Sequence, residues 1–237
     1  MYNAHRLEDR VVAITGAGRG IGKATAELLQ RYGVKLALGS RNIPETKEPS
    51  VSDNQIHLQV DVTKEESVKD FCEKSTDYFG KVDVLINAAG TGKFANVLDS
   101  ETADFDEMVA VNLRGTYLMC KYFGRQMKKN GQGQMINLVS IAGNTALAGG
   151  GSYTASKFGV LGLSKVLQTE LRQEGIYTTS VLPGSVDSSF WDGMEQTPDK
   201  TKMIPVESIA EHLVLLLCQP PQSVVDEITI MPPAGIL

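Results

Sequence analysis

Short runs rich in valine and isoleucine alternate with longer stretches of helical spacing from one end of the 237-residue chain to the other. Seven runs read as strands: RVVAITG (10–16), KLALGS (35–40), IHLQVDV (56–62), VDVLINAAG (82–90), MINLVSI (135–141), YTTSVLPG (177–184) and DEITIMP (226–232). Between them, segments such as GKATAELLQRYG place Ala24, Leu28 and Leu29 on one helical face, with Gly33 as a C-terminal cap. Strand, helix, strand repeated in this way predicts an α/β fold, a parallel sheet covered by helices on both faces. No linker or internal repeat divides the chain, so one domain spanning 1–237 is expected, a size that buries a sizeable core without metals or disulfides.

Two stretches interrupt the pattern. RNIPETKEPSVSDNQ (41–55) carries Pro44 and Pro49 where a second crossover helix belongs, which predicts a shortened helix or a loop. DSSFWDGMEQTPDKTKMIP (187–205) is long, polar and punctuated by glycine and proline, with Phe190, Trp191 and Met194 inside. An insertion of this kind after a strand end reads as a substrate-binding lid.

In an open parallel sheet, ligands bind beyond the carboxyl ends of the strands, where the strand order reverses. The first strand runs directly into TGAGRGIGK, with Gly16, Gly20, Ile21 and Gly22 leading into a helix. Glycines at such a junction let the backbone approach a pyrophosphate, and the helix N-terminus supplies N–H groups and positive potential. The spacing G-x-x-x-G-x-G is neither G-x-G-x-x-G nor a P-loop, yet it serves the same physical end. At the end of the second strand stand Ser40 and Arg41, with no carboxylate to accept hydrogen bonds from an adenosine ribose. Arg41, with Arg19 from the glycine loop, suits a dianionic 2′-phosphate, so NADP(H) is favoured over NAD(H).

Composition narrows the partners. The formal net charge is −5 and the basic residues are scattered, which argues against nucleic acid and against a membrane surface. Cys72, Cys120 and Cys218 lie far apart in apolar patterns and form no metal-ligand pair, so no metal is expected. The polar N-terminus lacks the apolar run of a signal peptide, which makes a cytoplasmic protein the expectation.

Tyr153 and Lys157, in SYTASKFGVLGLSK, are one helical turn apart, but so are Tyr117 and Lys121 in GTYLMCK. Spacing alone does not separate the two pairs. Tyr153 differs in having Ser140 on a preceding strand end and a glycine-rich connection between them.

TGAGRGIG, VDV (60–62), NAAG (87–90), VNLRG (111–115), LVSIAG (138–143), YTASK (153–157) and LPGSVDSS (182–189) come one after another in the order found in the short-chain dehydrogenase/reductases. The chain resembles that family over nearly its full length. The resemblance implies a Rossmann-like, doubly wound, seven-stranded parallel sheet and a catalytic tetrad of Asn112, Ser140, Tyr153 and Lys157. It further implies cofactor contacts by Asp61 and Val62 toward the adenine, by Asn87, Ala88, Ala89 and Gly90 toward the adenosine ribose, by Lys157 toward the nicotinamide ribose, with Tyr153 beside the nicotinamide, and by Pro183, Gly184, Val186 and Ser188 toward the nicotinamide carboxamide. Ser188 stands where threonine is commoner and keeps the hydroxyl.

The reaction so implied moves a hydride between nicotinamide and a ketone, aldehyde or secondary alcohol, with Tyr153 as general acid or base. A tyrosine of ordinary pKa, about 10, needs a cation nearby to serve at neutral pH, and Lys157 with the oxidised nicotinamide is expected to lower it. The alternatives are a 3-oxoacyl-[acyl-carrier-protein] reductase and a non-catalytic dinucleotide-binding regulator. The segment around Glu170, Arg172 and Glu174 and the C-terminal DEITIMPPAGIL depart from the pattern of the carrier-protein reductases. Apolar positions spread around the helices bearing Val109, Leu113, Tyr117, Phe158, Leu161 and Leu163 predict a homodimer or homotetramer, as the resemblance also does.

Overall fold

The first strand shows why the apolar runs are continuous rather than alternating. In the computed structural model, which describes residues 4–42, 54–194, 197–220 and 222–237, β1 (Val11–Thr15) is buried at every position. Val12 and Ile14 face one hydrophobic cluster, and Val11 and Ala13 face the other. A strand buried on both faces has no polar side to alternate with.

The remaining elements keep the predicted rhythm: α1 (Gly20–Gln30), β2 (Lys35–Ser40), β3 (Gln55–Gln59), α2 (Glu65–Phe79), β4 (Val84–Asn87), α3 (Thr102–Met108), α4 (Gly115–Asn130), β5 (Gly133–Leu138), α5 (Gly151–Leu171), β6 (Ile176–Pro183), β7 (Val186–Asp187), β8 (Ile204–Pro205), α6 (Val206–Leu217) and β9 (Glu227–Ile230). Each of the seven predicted runs contributes a strand. They form one parallel sheet in the order β3-β2-β1-β4-β5-β6-β9, while β7 and β8 pair separately. The order reverses between β1 and β4, which marks the ligand end of the sheet.

Helices α1 and α6 cover one face through Ala26, Leu29, Ile209, Leu213 and Leu217. The other face is covered by α2, α4 and α5, with Phe71 and Phe123 at its centre, their rings 5.7 Å apart. The turn after α1 closes at Gly33, whose φ of +70° suits glycine and whose N–H reaches Gln30 O. The predicted interruption of the second crossover falls on residues 43–53, outside the described residues.

Between α3 and α4 the helix continues through a π-helical turn, Val109–Arg114, that the sequence pattern does not announce. This turn carries Asn112 into the interior. Among the described residues, no helix is long and apolar enough to cross a membrane.

Candidate active site

The carboxyl ends of β1, β4, β5 and β6 open onto a cleft of about 1170 Å³. Its walls bring together Gly16, Arg19, Gly20, Ile21, Ala88, Ala89, Gly90, Ser140, Tyr153, Lys157, Pro183, Gly184, Val186 and Ser188, all of them sequence-predicted site residues. They come from separate segments of the chain: most follow strand ends on the same side of the sheet, and α5 brings Tyr153 and Lys157 up beside the end of β5, where Lys157 Nζ reaches Leu138 O.

The glycine loop is shaped by close backbone approach. A Cβ on Gly22 would lie 2.5 Å from Gly16 O, and one on Gly16 would lie 2.8 Å from Ala88 O. Only glycine lets the loop fold under α1 and against the end of β4. The N-cap of α1 is Arg19, which makes no side-chain cap hydrogen bond, so the first-turn N–H groups face the cleft without the usual side-chain acceptor. The loop after β6 closes over this end, since a Cβ on Gly20 would sit 3.7 Å from Ser188 Cβ. An uncapped helix start beneath a glycine turn fits the pyrophosphate of a dinucleotide.

At the other end of the cleft, α5 presents Tyr153 and Lys157 on one face, with Lys157 Nζ 5.7 Å from the centre of the phenol ring. Both are buried. Burial pushes the Tyr153 phenol up to about 12, against the opposing effect of a hydrogen bond with the Ser140 side chain. Burial also pulls the Lys157 ammonium down to about 8. The expected lowering of the phenol by Lys157 is not what the protein's own groups produce, because desolvation penalises the charged form of each residue. Lys157 donates to Leu138 O at 2.9 Å, its one hydrogen-bond acceptor among the described residues. The remaining ammonium hydrogens are free for a ribose.

Ser140 leaves β5 and accepts from Ala142 N at 3.1 Å, which orients its hydroxyl beside Tyr153. The second tyrosine-lysine pair lies elsewhere. Tyr117 is 47% exposed and Lys121 pairs with Glu65 at 2.7 Å, both away from the cleft.

Seven predicted residues do not line the cleft. Gly22 lies beneath the loop. Asn87 points into the interior and donates to Asn137 Oδ1 at 2.8 Å, so its side chain ties β4 to β5. Val62 is in the core, where a Cβ on Gly115 would come within 2.8 Å of its Cγ2. Asn112 donates to Thr91 O at 2.9 Å and Ser156 Oγ at 3.0 Å and accepts from Thr91 N at 2.9 Å, while its carbonyl accepts from Thr116 Oγ1. Its side chain thus holds the loop after β4 against α5. Ser40, beside Gly18, donates to Asn42 O, and Arg41 and Asp61 border an adjoining depression of about 490 Å³ with Lys64 and Lys74. Asp61 Oδ1 accepts from Thr63 N at 3.1 Å and Thr63 Oγ1 at 2.7 Å, securing the turn into α2.

Sequence reasoning misses Phe94. It stands four residues beyond the NAAG strand end, and its ring packs against Tyr153, Phe190 and Trp191 at centroid distances of 5.5, 6.4 and 5.9 Å. A lone aromatic in a loop after a strand end is the one signal it leaves in the sequence. Phe190 and Trp191 do project from the 187–205 segment into the cleft wall, and Trp191 Nε1 donates to Val186 O at 2.9 Å. Met194 lines the cleft as well, as do Leu147 and Ile236.

Residues 10–199 match the family model described as short chain dehydrogenase. An uncharacterized oxidoreductase of Staphylococcus haemolyticus is 34% identical over 229 residues, covering 95% of this chain and 98% of the relative. One from Staphylococcus aureus is 33% identical over the same length and coverage. Among solved structures, an alcohol dehydrogenase from the archaeon Thermococcus sibiricus, complexed with 5-hydroxy-NADP, superimposes with a TM-score of 0.81 at 30% identity, covering 93% of this chain and 95% of that one. ElxO with NADP bound gives 0.85 at 28% identity, covering 94% and 97%. The sheet order, glycine loop and paired tyrosine and lysine agree with this match along the chain, which belongs to the short-chain dehydrogenase/reductase family.

Proposed function

We propose that the protein is an NADP(H)-dependent oxidoreductase that interconverts a ketone or aldehyde and the corresponding alcohol, with Tyr153 as the proton donor or acceptor. The observation that carries this reading is the placement of Ser140, Tyr153 and Lys157 in the same cleft as the uncapped start of α1. Arg19, Gly20 and Ile21 would hold the pyrophosphate, Ala88 to Gly90 the adenosine ribose, and Pro183 to Ser188 the nicotinamide end. Arg19 and Arg41 favour NADP(H), and NADP accompanies ElxO and, in its 5-hydroxy form, the Thermococcus sibiricus enzyme. The bound nicotinamide supplies the hydride in reduction and accepts it in oxidation.

The protein's own groups handle the proton. With its phenol held at about 12, Tyr153 carries its proton at neutral pH and acts as a general acid only as negative charge develops on a carbonyl oxygen. The Ser140 hydroxyl shares that oxygen and stabilises the charge developing on it. Lys157 then stabilises the phenolate left behind, one helical turn away. In the oxidative direction the same groups act in reverse, with Tyr153 as base. The test is NADPH consumption with a panel of ketones, aldehydes, diketones, quinones and 3-oxoacyl thioesters. Turnover abolished by Tyr153→Phe supports the reading, and NADPH binding without turnover of any carbonyl rejects it.

The proposed partners are a small-molecule carbonyl or alcohol and further copies of the chain. Tyr117, Phe158 and Val166, on the outer faces of α4 and α5, are 47%, 47% and 51% exposed, which supports a homodimer or homotetramer through these helices. Leu161 is buried within the subunit and contributes nothing to that surface.

A further inference from the structure

Two aromatic rings from separate loops flank the proposed proton donor, and a third packs against both of them. Phe94 and Phe190 lie 5.5 and 5.6 Å from the Tyr153 ring centre, both tilted, and Trp191 stacks on Phe94 with 15° between their planes. Phe190 and Trp191 meet edge to face at 5.2 Å. None of the three is buried: Phe94 is 38% exposed, and Phe190 and Trp191 are half-buried.

Their positions are built rather than incidental. A Cβ on Gly92 would lie 2.3 Å from Phe190 Cζ, so Gly92 is the notch that admits the ring. Phe94 is held by the bridge between Ala95 and Gly150, where a Cβ on Gly150 would reach Phe94 Cδ1 at 3.4 Å. Leu147, Met194 and Ile236 continue the apolar lining. Among the described residues, the cations lining the cleft are Arg19, Lys93 and Lys157. Lys93 is engaged by Asp104 and by Glu107 at 3.4 Å, and the other two belong to the proposed cofactor site. None of these three cations is therefore left for the phosphate of a phosphopantetheine arm, whereas tilted ring faces and edges suit another ring.

We propose that Phe94, Phe190 and Trp191 form a specificity pocket that selects carbonyl compounds bearing a compact aromatic substituent, with Gly92 as the notch that seats the Phe190 ring in its wall. This rests on the proposed oxidoreductase function for the position of the carbonyl at Tyr153. A planar ring also loses less rotational freedom in such a slot than a flexible acyl chain does.

Trp191 is the only tryptophan in the chain, so its fluorescence reports occupancy of the pocket without requiring turnover. The experiment titrates the full-length protein, saturated with NADP⁺, with 4-phenylbutan-2-one, butan-2-one and the 3-oxobutanoyl thioester of N-acetylcysteamine. The same three carbonyls are assayed for NADPH oxidation. The phenyl ketone is expected to perturb Trp191 at concentrations at least about tenfold lower than either competitor. In Phe94→Ala that preference over butan-2-one is expected to fall by about tenfold. Gly92→Ala, which displaces Phe190, is expected to reduce it likewise while retaining NADPH binding.

Equal affinities, tighter binding of the thioester, no change in emission with any ligand, or an unchanged preference in Phe94→Ala would each overturn the assignment. Selective binding without NADPH oxidation would leave the pocket standing and remove the oxidoreductase reading. Turnover of all three carbonyls without preference would do the opposite.

Discussion

Lys157 Nζ lies 5.7 Å from the centre of the Tyr153 ring, and burial shifts the proton affinities of the two residues in opposite directions. The phenol rises to about 12 and the ammonium falls to about 8, so the protein favours the neutral forms of both. A tyrosine so placed keeps its proton until a substrate oxygen with developing charge takes it. The surroundings alone thus oppose ionisation of Tyr153, and donation depends on the charge developing on the oxygen that takes the proton.

Tyr153→Phe is expected to lower kcat by about 10²–10⁴ with little change in the dissociation constant for NADPH, because the hydroxyl moves a proton and the ring still packs against Phe94 and Phe190. Tyr117→Phe, on the exposed face of α4, is expected to leave kcat within about twofold, in line with a surface change away from any site. Steady-state kinetics on both variants checks the distinction, and a folded but inactive Tyr117→Phe would reverse it.

Lys157 should leave a signature in stability against pH. Its folded pKa of about 8 lies below the ordinary 10.5, so between these values the unfolded chain binds the extra proton and stability rises with pH. Below pH 8 the cost of burying the ammonium is complete. Relative to Lys157→Met, the native protein is expected to gain roughly 3 kcal/mol across this window. Urea denaturation of both proteins at the two ends of the window measures it; parallel behaviour would show that Lys157 is not desolvated. The loss of the bond to Leu138 O adds an offset that does not vary with pH.

Arg41→Asp, alone or with Ser40→Asp, replaces a cation at the end of β2, next to the Ser40 that lies beside Gly18, with an anion. NADPH is expected to bind at least about tenfold more weakly, with a much smaller change for NADH, because only the former carries the 2′-phosphate. Fluorescence titration with each cofactor decides the matter. Equal losses would place Arg41 outside the discrimination.

Phe158→Glu puts a charge on the exposed apolar face of α5. If that face pairs with another copy, light scattering should show a dimer or tetramer for the native chain and a smaller species for the variant. A native mass of 25.6 kDa at micromolar concentration would rule out the pairing.

Periodicity is enough to place all seven strands of the main sheet, because a doubly covered parallel strand must be apolar throughout and a crossover helix must repeat near every 3.6 residues. The motifs likewise locate the glycine loop, Ser140, Tyr153 and Lys157, since each lies at a strand end or opens a helix. Which side chains turn toward the cleft is settled only by packing. Asn87 ends a strand at the ligand side yet bonds Asn137 in the interior, and Asn112 is carried inward by a π-helical turn that the sequence pattern does not announce. Phe94 stands in a loop, where side-chain direction is set by contacts distant in the chain: Gly150 beneath it and Trp191 stacked upon it. The proton affinities of Tyr153 and Lys157 belong to the same class, for desolvation depends on what surrounds a group in three dimensions and not on its neighbours in sequence.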